Sequence, residues 1–267
     1  MRKHVVLSTI FLFFFAILSI FPFVWMLISA TNRSVDITKG RMWFGSALFE
    51  NIEKLFTTVD VWTAFGNSLI IALVGTVLAL LISSCAGYGF EIFHSRGKSV
   101  LFSFLLLSMM IPFAAIMIPL YKLFAGTGML DTLTAVILPS ISTAFLIFFF
   151  RQNAKSFPRD ILQAARVDGL GEWGIFFQIY FPTMRSTYAA AAIITFMNQW
   201  NAYLWPLIVL QTPEKRTLPL MLSNLASSYT PDYGVQMVAI ILATLPTALL
   251  FFFMQRSFVE GMLGAVK

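Results

Sequence analysis

An all-α protein that crosses a membrane six times is the fold class this sequence predicts, and three observations carry it. Of its 267 residues, 58% are hydrophobic and 11% are charged, with a mean hydropathy of +0.83. An ordinary soluble domain carries about 25% charged residues, and it can hide only one face of each element from water. Six stretches reach or approach the roughly 20 apolar residues that cross a hydrocarbon core: 5–30, 65–92, 100–124, 134–150, 188–210 and 235–253. Lipid offers no hydrogen-bonding partner to an open strand edge, so each stretch reads as helix. This composition excludes an ordinary soluble enzyme, a disordered tail and a disulfide scaffold. The single cysteine, Cys85, sits in an apolar run as a small hydrophobe.

The elements follow in order. The first stretch begins Met1-Arg2-Lys3-His4, like the charged start of a signal peptide, and Ile28-Ser29-Ala30 looks like a cleavage site. Its apolar part runs well past the ~7–15 residues of a signal, so an uncleaved first span is expected. In the long connection 31–64, Leu48, Ile52, Leu55 and Phe56 recur at helical spacing, which predicts a short amphipathic helix at the membrane surface. The second and third stretches are joined by the tight turn 94–99. The connection 151–187 is long, and 211–234 is read as a loop. Pro22, Pro112, Pro119, Pro139, Pro206 and Pro246 interrupt the stretches, as proline can where neighbouring helices satisfy the freed carbonyls. With no repeat or low-complexity linker, residues 1–267 read as a single membrane domain.

Orientation follows from Lys and Arg bias in the connections. One side collects Arg2, Lys3, Arg96, Lys98, Arg151, Lys155, Arg159, Arg166, Arg185, Arg256 and Lys267. The other collects only Arg33, Lys39, Arg41, Lys54, Lys122, Lys215 and Arg216. The richer side is therefore cytoplasmic, with both termini inside. The acids divide the other way, so the whole net charge of +6 falls on the cytoplasmic face. Topology explains that charge, and nucleic acid is not an expected partner.

Several chemistries lack their residues. Gly97-Lys98-Ser99 supplies half of a phosphate-binding loop, but Ile92 stands where the first glycine is needed. His4 and His94 stand at membrane edges without a Cys or acidic cluster, so neither a metal nor a cofactor is expected. No nucleophilic triad or intramembrane carboxylate pair is present. Glu91 and Lys122 lie only at span ends. A proton-coupled carrier keeps titratable groups at depth. If such a chain moves a solute, energy arriving from outside the bilayer is the expectation.

The segment 156–169 could receive that energy, or it could be a plain surface helix with a solvated basic stripe at Arg151, Lys155 and Arg159; the residues alone leave both readings open. Pro158 suits the first turn of a helix and Gly169 the position just past its end. About three helical turns are expected, with Ile161, Ala165 and Asp168 on one side and Ala164 adjacent. Small side chains there would let another surface approach the backbone. A second helical stretch, 172–181, ends at Pro182.

The run Gln163-Ala164-Ala165-Arg166-Val167-Asp168-Gly169, followed by Phe176, Ile179 and Pro182, resembles the EAA loop of ABC-importer permeases. Asn67-Ser68-Leu69-Ile70, Ile118-Pro119-Leu120-Tyr121, Phe149-Phe150-Arg151-Gln152, the run Trp200 to Leu207 and the tail Gln255 to Gly261 resemble the carbohydrate subfamily related to maltose permeases. The resemblance spans the chain in order and spacing. It implies a MetI-like permease core at about 65–255, with 151–187 as the coupling loop. It further implies a second permease, two ATPase subunits that hydrolyse the ATP, an external solute-binding protein, a sugar substrate and a bacterial or archaeal plasma membrane. Gln163, Ala164, Ala165, Asp168 and Gly169 would meet the ATPase. Gln163 stands where the family usually has Glu, keeping length and hydrogen bonding but losing the charge.

In the fifth stretch, Asn198 and Asn201 share a face near the midplane, and Gln199 points elsewhere. Such amides either hold helices together or line a wet pathway, and both readings stand. The connection 211–234 corresponds to the family's loop toward the binding protein, with Asn224, Ser228 and Tyr229 as contact candidates. Rival readings are a permease for a polyol, glycerol phosphate or amino acid, and a self-sufficient secondary transporter or channel.

Overall fold

A computed structural model describes residues 2–264 except His94 and Ser228, with side chains from 8 to 255. The chain runs through α1 (Arg2–Ala30), α2 (Ser34–Thr38), α3 (Leu48–Thr58), α4 (Val61–Ile92), α5 (Lys98–Ser108), α6 (Phe113–Gly126) and α7 (Leu133–Ile137). It continues through α8 (Ala144–Ala154), α9 (Arg159–Val167), α10 (Glu172–Ile175), α11 (Phe181–Thr183), α12 (Arg185–Trp200), α13 (Leu204–Val209), α14 (Leu218–Ala226) and α15 (Tyr233–Gly264). No strand occurs among the described residues.

Three segments are long and apolar enough to cross a membrane: Ser8–Ala30, Val61–Ile92 and Tyr233–Gln255. Two helix pairs qualify only jointly, α5 with α6, bent by 99°, and α7 with a short 3-10 turn and α8, bent by 41°. The sequence reading of 100–124 and 134–150 as simple helices is corrected accordingly. Pro112 has no N–H to give the Ser108 carbonyl, and α5 ends at Ser108. Pro139 sits in the 3-10 turn Leu138–Ser140, after which the Thr143 hydroxyl caps α8 by accepting from Leu146 N. The fifth stretch also divides, at Asn201–Tyr203, where Pro206 has no N–H to give the Ala202 carbonyl. Pro22, Pro119 and Pro246 stay inside continuous helices.

The described chain forms two compact units, 1–65 with 218–246, and 66–217 with 247–267. In the first, Leu55 of α3 is fully buried with Ala30, Ala64, Leu218, Met221, Val235 and Ala239. The predicted amphipathic helix is therefore present, with Leu55 on its inner face. Polar groups close the end of α1. Asn51 Nδ2 donates to Ala30 O and Asn32 O, both at 2.9 Å, and Asn32 Nδ2 donates to Ile28 O and Trp43 O. Gly234 makes room for this knot, since a Cβ there would lie 2.6 Å from Asn32 O and from Asn51 Nδ2. The connection 211–234 is not all loop, because Leu218, Leu220 and Met221 of α14 are buried.

In the second unit, the core gathers around Phe150, Ile175, Tyr180 and Ala191, with Tyr88 and Leu162 packed in. Helix α4 meets α8 closely at Gly87, where a Cβ would lie 2.7 Å from Phe150 Cβ and 2.8 Å from Arg151 N. A second close approach is at Gly75, over which the Gln199 side-chain amide passes.

Candidate functional site

The segment between α8 and α12 is anchored at both ends before it presents a surface. Buried Asn153 ties the end of α8 to its own turn through Phe149 O, and accepts from the Thr187 hydroxyl at 3.3 Å. Phe157 then turns inward, its ring 5.4 Å from that of Tyr180. Pro158 adopts an extended conformation as the N-cap of α9, one place before the expected first turn.

Helix α9 ends in a Schellman motif. Leu170 N donates to Ala165 O at 3.0 Å and Gly169 N to Arg166 O at 3.1 Å, with Gly169 at φ +85°. The absence of a Cβ is what makes glycine suitable at that left-handed φ. Leu170 packs back on the core as the motif requires. Gly169 thus stands where the sequence puts it, at the reversal after the helix.

The inner face of α9 differs from expectation. Leu162 and Ala165 are buried among Phe157, Tyr88, Phe176 and Tyr180. Ala165, expected on the docking side, is turned inward because three residues separate it from Leu162, which carries the larger apolar side chain. Ile161, Gln163, Ala164, Val167 and Asp168 are exposed, Val167 by 88%. The outer stripe therefore runs Ile161, Ala164 and Asp168, one residue off the predicted set.

After Gly169 the chain re-enters helix, and Phe176–Tyr180 is a π-helical turn between α10 and α11. Pro182 cannot donate to the Gln178 carbonyl, so the ladder has no α-type continuation there. Pro182 was read only as the end of the stretch, and the widened turn before it was not anticipated. It stacks Phe176 on Tyr180 at 5.5 Å and sets Tyr88 edge-on to both. Burial pushes the Tyr180 hydroxyl pKa well above its usual value. Outside this core, Arg166 Nε donates to Glu172 Oε1 at 2.8 Å, a bond that holds the guanidinium pKa up and staples α9 to α10. Trp173, 69% exposed, stacks on Phe177 beside a cavity of about 200 Å³ lined by Cys85, Tyr88 and Glu172. Trp173 and Val167 were missed as surface features because exposure cannot be read from residue type.

Glu91, placed by the sequence at a span end, faces Arg151 at 3.4 Å and Arg159 at 3.2 Å. This double pair ties α4 to α8 and to the first residue of α9.

Asn198 and Asn201 are both exposed, with Asn201 Nδ2 donating only to Met197 O at 2.8 Å of its own helix. Gln199 is the buried amide, against Gly75. Interhelical packing in this part of the described chain therefore belongs to Gln199, the residue the sequence reading set aside. Asn224 is exposed on α14 and Tyr229 fully exposed beyond it. Ser228 and His94 lie outside the described residues, as do the side chains of the tail from Arg256 onward. Among the described residues no group of three or more His, Cys, Asp or Glu side chains could hold a metal ion.

Residues 79–264 match the family described as the binding-protein-dependent transport system inner membrane component. A lactose transport system permease protein of Rhizobium radiobacter is 57% identical over 252 residues, covering 94% of this chain and 92% of the relative. An arabinooligosaccharides transport system permease protein of Bacillus subtilis is 38% identical, covering 97% and 94%. A bacterial ABC transporter involved in the import of the acidic polysaccharide alginate has a chain of the same fold, with a TM-score of 0.86 at 20% identity over 96% of this chain and 97% of that one. An all-helical, multi-pass chain with a capped surface helix between α8 and α12, matched over most of its length, belongs to the family of binding-protein-dependent inner membrane components, the permease subunits of ABC importers.

Proposed function

We propose that this chain forms half of the translocation pathway of an ATP-driven importer for a sugar or oligosaccharide. Helix α9 receives a partner ATPase subunit. The observation that carries the solute class is the 57% identity to a lactose permease across 94% of the chain. The exposed stripe Ile161, Ala164 and Asp168, with Gln163 beside it and Gly169 reversing the chain, supports the docking role. In this reading residues 1–267 are a single permease domain that crosses the plasma membrane of a bacterium or archaeon six times. The third, fourth and fifth crossings are bent, and both termini are cytoplasmic. The subunit is non-catalytic, and ATP is hydrolysed by two ATPase subunits beneath it and a second permease. Asn198 and Asn201 face that second permease or the solute path. Asn224, Ser228 and Tyr229 face the external binding protein.

The test is ATPase activity of the reconstituted complex with its cognate binding protein across a panel of saccharides. Stimulation by at least one saccharide is expected. Stimulation only by a polyol, glycerol phosphate or amino acid would overturn the solute class. A chain that copurifies with neither a second permease nor an ATPase would overturn the importer reading altogether.

A further inference from the structure

The turn between α4 and α5 opens on a cavity of about 460 Å³, distinct from the exposed stripe of α9. Its lining includes Arg96, Lys98, Arg151 and Arg159, one carboxylate, Glu91, and the hydroxyl residues Ser95 and Ser99. Four cations thus face a single acid, and that acid is already shared between Arg151 and Arg159. Lys98 Nζ reaches the carbonyls of Gly89 and Phe93. Arg151 lies 3.8 Å over the Phe102 ring, and its Nε points to Glu91 at 3.4 Å. Arg96 is exposed and makes no ion pair among the described residues. Helix α5 starts on this cavity, capped by Gly97 at φ +87° without any side-chain bond, so its first N–H groups are open as well. An excess of cations over the one shared carboxylate, with Arg96 unpaired among the described residues and the first N–H groups of α5 uncapped, suits a phosphate-type anion.

The surroundings say what would carry that phosphate. From the cavity outward, α5 exposes Val100 by 57%, Leu101 by 64%, Phe104 by 64% and Leu107 by 55%. An inorganic anion would leave this strip uncovered, whereas an acyl chain attached to the phosphate would lie along it. We propose that the cavity formed by Arg96, Lys98, Arg151 and Arg159 is a binding site for the headgroup of an anionic phospholipid, with an acyl chain on α5. Basic pockets at the ends of membrane helices select such headgroups over zwitterionic ones. The proposal uses the membrane placement of α5 given above and is independent of the solute transported.

The test uses the purified complex, delipidated in neutral detergent and titrated with phosphatidylglycerol or phosphatidylcholine while bound lipid is read by native mass spectrometry. Phosphatidylglycerol should be retained in clear preference. Arg96→Gln should weaken it by about fivefold, the worth of one basic side chain at an anionic membrane surface, and Arg96→Lys should restore most of it. Equal retention of the two lipids, or an unaltered preference in Arg96→Gln, would overturn the site. So would displacement by inorganic phosphate at concentrations comparable to the lipid, which would make the ligand a free anion. A preference shown by the permease pair stripped of its ATPase subunits but absent from the full complex would assign the cavity to an acidic ATPase surface instead, and would equally overturn it.

Discussion

Replacing Gly169 separates the backbone requirement of the coupling loop from its contacts. At φ +85° nothing lies within 4 Å of a Cβ built on this residue, so Ala meets no clash and keeps both Schellman bonds. Its cost is the left-handed backbone alone, about 1 kcal/mol, which lowers the ratio of ordered to unravelled loop about fivefold. Asn, which tolerates this region better, should cost less. Proline is different in kind. Its ring fixes φ near −65°, and it removes the N–H that bonds Arg166 O. The lost bond adds about 1 kcal/mol, and the forbidden φ forces the end of α9 to unwind. The order of damage should therefore be Asn, Ala, Pro. The assay is binding-protein-stimulated ATP hydrolysis and solute uptake in proteoliposomes, normalised to the amount of inserted complex. Gly169→Pro should insert normally yet lose stimulated hydrolysis and uptake together, with Ala intermediate. Wild-type uptake by the proline variant at wild-type insertion would refute the role of α9 as the energy-receiving contact.

Three further outcomes follow from the geometry. Gly87→Ala drives a methyl against Phe150 Cβ and the Arg151 backbone, which cannot swing away. It should destabilise the protein by about 1–3 kcal/mol, whereas Gly89→Ala, with nothing within 4 Å, should be neutral or slightly stabilising; denaturation in detergent compares them. Glu91→Gln leaves Arg151, whose side chain is only 20% exposed, without its counter-charge. A loss of about 2 kcal/mol is expected, between the values for exposed and buried pairs, and a double-mutant cycle with Arg159→Gln should show the smaller coupling because Arg159 is 55% exposed. Asp131, at φ +59°, accepts from Gln211 N at 2.8 Å and Thr212 N at 3.0 Å. Burial pushes its carboxyl upward, but these N–H donors outweigh it and hold its pKa below the usual 3.8. A depressed folded pKa contributes stability above the unfolded value that is lost as pH falls through the folded one. Asp131→Asn should therefore lower the melting temperature modestly at neutral pH, and the difference should shrink below about pH 4, read by thermal scans at both pH values.

The parts legible in the sequence are those whose cause is local. The apolar stretches behind α1, α4 and α15 announce themselves by length, since every residue in such a run must tolerate lipid. Helix α9 was readable because Pro158 and Gly169 punctuate it and each acts on its own backbone. Its facing was not, since Leu162 and Ala165 turn inward only because Phe157 and Tyr180 are there to receive them. The prolines marked where stretches could break without saying whether they would. Pro112 ends one helix and begins another across a 99° bend, while Pro119, seven residues on, stays inside α6. The same missing N–H has opposite outcomes, so the decision lies in what the surroundings supply to the freed carbonyl.

The same division explains why Gln199 was passed over. Gln199 was set aside because it points away from Asn198 and Asn201, yet it is the one of the three that is buried. What admits it is an absent side chain at Gly75, more than a hundred residues earlier. Asn51 and Asn32 likewise fit beside the helix ends only because Gly234 has no Cβ to obstruct them. In each case the amide looks like a functional group and the glycine like a flexible one when either is read alone. Together they are a close contact between segments far apart in the chain, and an amide that fills a glycine's space is a packing group before it is anything else. Asn198 and Asn201, which have no such glycine and remain exposed, are for that reason the pair to carry forward as pathway or subunit contacts.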